Sequence, residues 1–547
     1  MTDPLIPRTT SAHKYQLLIK NLLFFPAADN PDQEIIYRDQ MRYTYRDLRR
    51  RVCRLANALR TMGVKQGDTV AVMDWDSHRY LECFFAVPMI GAVLHTINIK
   101  LSPEQILYTI DHAEDDVLLI HDDFIPLLEQ MRGRIDTVRH YVRLSDGDHD
   151  YSGPVTFAAE YEQWLAAADD KADFEEFDEH TRATTFYTTA TTGRPKGVYF
   201  SHRQLVLHTL GGLVALGTQQ HQGRIHQGDV YMPITPMFHV HAWGLPYAAT
   251  TLGLKQVYPG RYAPEMLLHL IDSNKVTFSH CVPTILHMLL RCPAAQQVDL
   301  SNWKVIIGGA PMSQALCNQA RARGIDIFTG YGMSETCPIL SLANLDAEML
   351  QLEENAQTEI RCKTGRALPL VDLRVVDEEM NDVAADAASS GEIVVRAPWL
   401  TQGYLKDEHH SEQLWRGGYL HTGDIATKGA DGYLKICDRI KDVIKSGGEW
   451  LSSLEMEDIL SHHPAVAEVA VIGQNDPKWG ERPLALVVPQ PDCEPPSQKE
   501  LLALLHEYTS TGVLSKQAVL TRVKIVAEID KTSVGKINKR ALRQKYA

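Results

Sequence analysis

Tyr187-Thr-Thr-Ala-Thr-Thr-Gly-Arg-Pro-Lys-Gly-Val-Tyr-Phe-Ser-His202 is a hydroxyl-rich, glycine-bearing loop with one lysine, set after a short apolar run. Such a loop offers backbone N–H groups, hydroxyl donors and a mobile ammonium to a polyphosphate. It is a candidate grip for the β- and γ-phosphates of a nucleotide. A Walker A loop needs Gly-Lys-Ser/Thr leading into a helix. Here Lys196 follows Pro195 and precedes Gly197, so a P-loop kinase or GTPase is not indicated.

At 547 residues the chain is too long for one core, and two or more domains are expected. From about residue 43 to 140 helical and strand-like patterns alternate. A capping signal at Thr44 and Asp47 precedes apolar Leu55, Ala58 and Leu59. Thr69–Met73 and Val117–Ile120 read as buried strands, with a helix near Ser102–His112 between them. The acidic stretch Leu144–Glu179 reads as a surface connection. Further units follow: strands at Gln256–Tyr258, Val276–Phe278 and Lys304–Ile307, and a helix near Pro264–Ile271. Short strands between turns over Leu373–Arg396 indicate a β-rich subdomain. After Asp438 the pattern changes to two short strands, Val466–Ile472 and Leu484–Val488, with helices at either end. The fold class is therefore α/β: a large N-terminal domain of βαβ sheets plus a β-rich subdomain (1–438), and a small C-terminal α/β domain (439–547).

The net charge of −14 argues against a nucleic-acid partner. Nine scattered cysteines without a Cys-x-x-Cys pair suit a reduced, cytoplasmic protein. The N-terminus lacks the build of a secretory signal, and no run approaches a membrane span, which leaves peripheral membrane contact open.

Further motifs follow the loop in order. Tyr331-Gly332-Met333-Ser334-Glu335 combines a ring that can stack on a base, a hydroxyl for a phosphate oxygen and a carboxylate for Mg²⁺. Asp424, in Thr422-Gly423-Asp424, is a loop carboxylate able to accept two ribose hydroxyls. Asp438-Arg439-Ile440-Lys441-Asp442, then Lys445-Ser-Gly-Gly-Glu-Trp450, and finally Lys531-Thr-Ser-Val-Gly-Lys536 complete the series. His239 and His241 would share one face of a strand, but no third ligand lies near in sequence, which argues against zinc.

Together these motifs resemble those of the adenylate-forming enzymes: acyl-CoA synthetases, peptide-synthetase adenylation domains and luciferases. The usual loop is Tyr-Thr-Ser-Gly-Thr-Thr-Gly-x-Pro-Lys-Gly, and this chain departs from it at Thr189 and Ala190. The stretch around His239–Tyr247 and the Lys445–Trp450 segment look most like medium- and long-chain fatty acyl-CoA ligases. The tail also looks like ligases for short acids such as 3-(methylthio)propionate.

The resemblance implies ATP, Mg²⁺ and coenzyme A as cofactor and co-substrates, a small carboxylic acid as partner, and a homodimer as one admissible state. It assigns Thr188, Thr189, Thr191, Thr192, Gly193 and Lys196 to the phosphates, and Thr188 with Glu335 to the metal. Gly309, Ala310, Pro311, Thr329, Gly330, Tyr331, Gly332 and Ser334 go to the nucleotide, with Asp424 and Arg439 on the ribose. Lys441 is the hinge, and Lys445, Gly447 and Trp450 form the loop of the second half-reaction. His239, Trp243 and Gly309 line the acid site, with Trp243 as its gate. Lys536, His239 and Glu335 carry catalysis. The expected function is ATP-dependent acid–CoA ligation of a medium-chain fatty acid, with a short or thioether acid as the alternative. A carrier-loading adenylation enzyme and a binding protein with a degraded site compete with that reading.

Alanine at a position of positive φ costs about 1–2 kcal/mol. If the family's usual glycine here marks a positive φ, Ala190→Gly lowers the KM for ATP; an unchanged KM shows that the alanine is not strained.

Overall fold

A computed structural model of the chain describes residues 6–147, 150–188, 194–220, 222–446, 449–491, 493–510, 514–532 and 536–546. Among these, two large sheets carry the N-terminal body. One has seven strands, in the order Ala159–Glu160, His140–Leu144, Asp115–His121, Thr69–Met73, Val93–Thr96, Arg182–Tyr187 and Gly197–Ser201. All pairs are parallel except the last, where Arg182–Tyr187 and Gly197–Ser201 form a hairpin around the Thr-rich loop. Every residue of Thr69–Met73 is buried, as expected of a parallel strand covered on both faces.

The second sheet has nine strands. Its centre is parallel: Asp326–Gly332, Lys304–Ile307, Phe278–Cys281, Val230–Ile234, Lys255–Tyr258 and Glu34–Tyr37. The edges, Met41–Thr44 and Ile339–Leu342 with Arg366–Ala367, are antiparallel. Both sheets aim the carboxyl ends of parallel strands toward the loops that bear the motifs, the usual place for a ligand in such sheets. A four-stranded antiparallel sheet (Asp372–Val376, Ser390–Arg396, Leu420–Lys428, Leu434–Arg439) follows. Residues 444–525 form a five-stranded sheet with its own apolar cores on the two faces.

Local chemistry accounts for most of the boundaries read from sequence. Helix Tyr45–Thr61 starts at a full capping box between Thr44 and Asp47, and buries Leu48, Val52, Leu55, Ala58 and Leu59. Pro103–Ala113 starts from the Ser102/Gln105 box in the same way. The strand expected at 276–278 instead runs Phe278–Cys281. Lys275 ends helix Pro264–Asn274 in the left-handed region, and the Val276 N–H bonds back to the Ile271 carbonyl (3.0 Å). That closure uses the residues the sequence had offered to the strand.

Two readings are corrected. The stretch 144–179 is not merely a surface connection: Tyr161 and Leu165 are buried in the main core. The Tyr161 hydroxyl donates to Glu82 (2.6 Å), a wholly buried carboxylate that also receives Arg51 Nε (2.7 Å) and the Tyr43 hydroxyl (3.3 Å). The C-terminal region has five strands rather than two, because Ile444–Ser446, Glu449–Leu451 and Arg522–Ile525 are too short and polar to show periodicity.

Glu82 ties three helices together by charge. Arg51→Met leaves that carboxylate buried without its cation and is expected to cost about 3 kcal/mol. A shift of under about 1 kcal/mol in the first denaturant transition of the purified protein would contradict this account.

Candidate functional site

The carboxyl edge of the nine-stranded sheet is where the motifs meet. Strand Asp326–Gly332 carries Thr329, Gly330, Tyr331 and Gly332 to its end, and Ser334 with Glu335 sits in the 3-10 turn that follows. Tyr331, 9% exposed, donates its hydroxyl to Asp424 Oδ2 (2.7 Å). Arg439 Nε lies 3.2 Å from Asp424 Oδ1. Each carboxylate oxygen keeps a further lone pair for a ribose hydroxyl. Asp424 is not on a loop, as the sequence reading had it. It lies inside strand Leu420–Lys428, beside a register shift and just after Gly423 at φ +71°. That kink turns a strand carboxylate toward the cleft.

Glu335 is 6% exposed and accepts the Tyr404 hydroxyl (2.7 Å). Lys196 Nζ stands 4.5 Å from the centre of the same Tyr404 ring. Burial lowers the Lys196 pKa, opposed by Asp407 and Glu335. Thr188 and Lys196 close the base of the Thr-rich loop: Thr188 N–H donates to the Lys196 carbonyl (3.0 Å), and Lys196 N–H to Thr188 Oγ1 (3.4 Å). Thr189, Ala190, Thr191, Thr192 and Gly193 lie outside the described residues. Glu335 and the Thr188 hydroxyl are each hard oxygen donors of the kind Mg²⁺ takes.

Lys536 arrives from the C-terminal region. Its turn is held by Thr532, whose N–H donates to the Lys536 carbonyl (2.7 Å) and whose hydroxyl accepts the Lys536 N–H (3.2 Å). A Cβ on Gly309 would lie 3.2 Å from Lys536 Cε, 3.7 Å from its Nζ and 3.3 Å from Val282 Cγ1. Gly309 also has φ +77°. Any side chain there would be strained and would crowd the lysine. Burial and the nearby Arg439 lower the Lys536 pKa to about 8, opposed by Asp424 and Glu335.

His239 lies in the same field. Burial, then the charge on Lys536, pushes its pKa down to about 3, so it is a neutral imidazole at physiological pH. The Met237–Trp243 segment is not the strand expected. Val240, His241, Ala242 and Trp243 all have φ between +48° and +60°, and Gly244 follows at +73°. A left-handed turn of four non-glycine residues costs about 1–2 kcal/mol for each. It separates the two histidines: His241 is buried against Phe84, Phe186 and Tyr247 and does not share a face with His239. The turn also buries Trp243, whose indole lies 5.0 Å from the His280 ring and 2.9 Å from where a Cβ on Gly308 would stand.

Asp76 anchors this segment, and the sequence reading missed it. Its Oδ1 accepts the Met237 N–H (2.8 Å) and its Oδ2 the Tyr262 hydroxyl (2.5 Å). Burial raises its pKa to about 7. An acidic run after a buried strand, Asp74-Trp75-Asp76, was the available signal. Tyr404 was also missed and had no local signal.

Of the other expected residues, Ala310 and Pro311 follow Gly309 at the end of Lys304–Ile307. Lys441 lies two residues past Arg439, and the partial burial of its ammonium, then that arginine's charge, lowers its pKa. Lys445 sits on strand Ile444–Ser446, its N–H donated to Glu481 (2.8 Å). Trp450 is on the partner strand, and Gly447 lies outside the described residues.

Comparison with known proteins supports one family. A family model described as AMP-binding enzyme matches residues 24–405, and one described as AMP-binding enzyme C-terminal domain matches 455–536. A long-chain-fatty-acid–CoA ligase of Thermus thermophilus is 41% identical, over 92% of this chain and 90% of that protein. A 3-methylmercaptopropionyl-CoA ligase of Ruegeria pomeroyi is 38% identical, over 90% of each. A medium-chain-fatty-acid–CoA ligase of Ectopseudomonas oleovorans is 33% identical, over 97% and 96%. Among solved structures, an anthranilate CoA ligase with anthranoyl-AMP shares the fold at TM-score 0.83 and 24% identity, over 96% of this chain and 97% of that one. The fold is that of the adenylate-forming enzymes. The chain belongs to the AMP-binding enzyme family and, within it, to the AMP-forming acyl-CoA ligases.

Tyr404→Phe removes the hydroxyl that orients Glu335 and leaves the ring under Lys196. We expect a roughly tenfold higher Mg²⁺ requirement in pyrophosphate release, about the worth of one hydrogen bond to a charged group. An unchanged Mg²⁺ titration would show that Glu335 does not hold the metal.

Proposed function

We propose that this protein joins a medium-chain fatty acid to coenzyme A in two steps at one site, and that Lys536 carries the first. The observation that supports this is the place of its ammonium, against Gly309 and within the fields of His239, Asp424 and Glu335.

A carboxylate oxygen attacks the α-phosphorus of ATP. The bond from that phosphorus to the bridging oxygen breaks, and pyrophosphate leaves with the electron pair. Two anions meet in this step. At about 4 Å their repulsion is of order 4 kcal/mol at an effective dielectric near 20. Lys536 would stand between them and offset it. Neutral His239 would donate one N–H to the carboxylate without adding charge. Lys196 and the Thr-rich loop would hold the departing pyrophosphate. Glu335 and Thr188 would hold Mg²⁺, which when bound supplies further positive charge at the phosphates.

In the second step the thiolate sulfur of coenzyme A attacks the acyl carbon, and AMP leaves with the electrons of the mixed anhydride. We assign the hinge for the change between steps to Lys441, in the segment joining residues 1–438 to 439–547. The Lys445–Trp450 segment then replaces Lys536.

The acid enters past Gly308 and Gly309, and beyond them lie Trp243 and an apolar cluster with Leu245, Phe278, Ile306 and Phe328. An alkyl chain suits that lining. Each methylene buried is worth about 0.8 kcal/mol, or about fourfold in affinity. A short thioether acid is the second reading, favoured by the 38% identity to the Ruegeria ligase. An acid panel scored by kcat/KM decides: a rise from acetate to a medium-chain maximum supports the first, and a maximum at 3-(methylthio)propionate the second. Nine free cysteines suit the reducing cytoplasm. Among the described residues no helix is long and apolar enough to cross a membrane.

Lys536→Ala is expected to slow adenylation by about 10²–10³ and to spare thioester formation from supplied acyl-AMP; equal losses in both would sink the assignment. The wild-type pH profile should carry the same group. A lowered lysine pKa leaves the ammonium present below pH about 8 and lost above it, so kcat/KM falls as pH rises through that value. Bound anions raise the lysine pKa, so the limb in kcat should lie at higher pH.

A further inference from the structure

Beside the Trp243 indole, a polar side chain interrupts the apolar lining. His280 is wholly buried and sits in strand Phe278–Cys281, paired with Ile306 of the neighbouring strand. The Gly308 N–H donates to the Cys281 carbonyl (3.2 Å) and carries that ladder one residue further. Alternate residues of a strand share a face. His280 therefore stands on the face of Phe278 and Ile306, which pack in the Trp243 cluster, while Cys281 and Ile307 belong to the core on the other face. The His280 ring centre is 5.0 Å from that of Trp243.

Burial pushes the His280 pKa down to about 3, so the imidazole is neutral and carries a single ring proton. The Tyr231 hydroxyl lies 2.9 Å from its Nε2, with the two rings nearly parallel at 6°. Tyr231 is also wholly buried, and among the described residues its hydroxyl has no other partner. If the hydroxyl donates to Nε2, the ring proton sits on Nδ1 and one group is left over. If Nε2 donates instead, the phenol proton and the Nδ1 lone pair are both orphaned. The first arrangement leaves fewer buried groups unpaired and so costs less. Nδ1 then bears a buried N–H, and among the described residues it has no hydrogen-bond partner. Native structures seldom bury a donor without giving it an acceptor.

We propose that the acid this protein takes carries an oxo group on its chain, and that His280 Nδ1–H donates to that oxygen beside Trp243. This names the substrate class within the ligase reading above and rests on it. A ketone oxygen only accepts, which suits a lone donor, whereas a hydroxyl would bring a second proton in need of a partner. A thioether sulfur is a weak acceptor, and a bare alkyl chain leaves the donor unpaired. A site built to make such a bond discriminates against the analogue that lacks it.

The test compares hexanoate and octanoate with their oxo isosteres, the ketone being moved along the chain from C4 outward, by kcat/KM for acyl-CoA formation. At one ketone position a value about tenfold above the plain acid is expected, the worth of one neutral hydrogen bond. In His280→Phe, which keeps a flat ring without the N–H, the ratio of that oxo acid to its plain acid should fall to about one. His280→Asn, whose amide can stand near the place of Nδ1, should keep part of it. Each ratio is taken within one preparation, so it does not depend on how much of a variant is folded. No ketone position above the plain acid, a ratio unchanged in His280→Phe, or one lost as fully in His280→Asn overturns the proposal. So does turnover confined to acids shorter than hexanoate. Absence of turnover with every acid overturns instead the ligase reading beneath it.

Discussion

A lysine ammonium from one folded region lies against the sheet edge of another, at Gly309. Lys536 comes from the five-stranded sheet side, yet its Cε rests where only a glycine leaves room, at Gly309. A single Cβ there would push the lysine aside by a few tenths of an ångström. The cost of holding a lysine in this place shows in its pKa, which burial and Arg439 pull down to about 8. A cation held with so little hydration is poised to gain from any anion that joins it.

The partners of that lysine are each fixed by a second group. Asp424 is held by Tyr331 and Arg439, and Glu335 by Tyr404. The His239 segment hangs from the buried Asp76 and runs into a left-handed turn. Strain of that kind persists only where the surroundings over-determine it. Here Phe84, Phe186 and Tyr247 enclose His241. The junction of the two regions is also specified: Asp438 accepts the Ser453 N–H (2.7 Å) and hydroxyl (2.5 Å), while Lys539 reaches Ser453 (2.5 Å) and Glu457 (2.7 Å). Arg439 and Lys441, just beyond Asp438, therefore begin from a pinned position.

Much of the fold was legible where local chemistry agrees with the tertiary outcome. Thr44 and Asp47 announce a helix start in any context, and a fully apolar Thr69–Met73 fits only a covered parallel strand. The reading failed where another part of the chain decided. The stretch 144–179 is polar in sequence, yet Tyr161 is buried because Glu82, far back in the chain, needs its hydroxyl. Met237–Trp243 has β-like composition, yet packing drives its last four residues into left-handed backbone. Tyr404 has no motif of its own and matters only because Glu335 and Lys196 come to it.

By itself the sequence determined which residues bear charge, hydroxyls and glycine freedom, and their order, because those are properties of single side chains and short loops. It also determined the parallel α/β architecture, through strands apolar on both faces. Only the tertiary structure decided that His239, Asp424 and Glu335 lie within the field of Lys536, and that Asp76 holds the Met237–Trp243 segment. Those relations join residues distant in the chain, and electrostatic strength depends on separation and burial, neither of which is written in a linear order of residues.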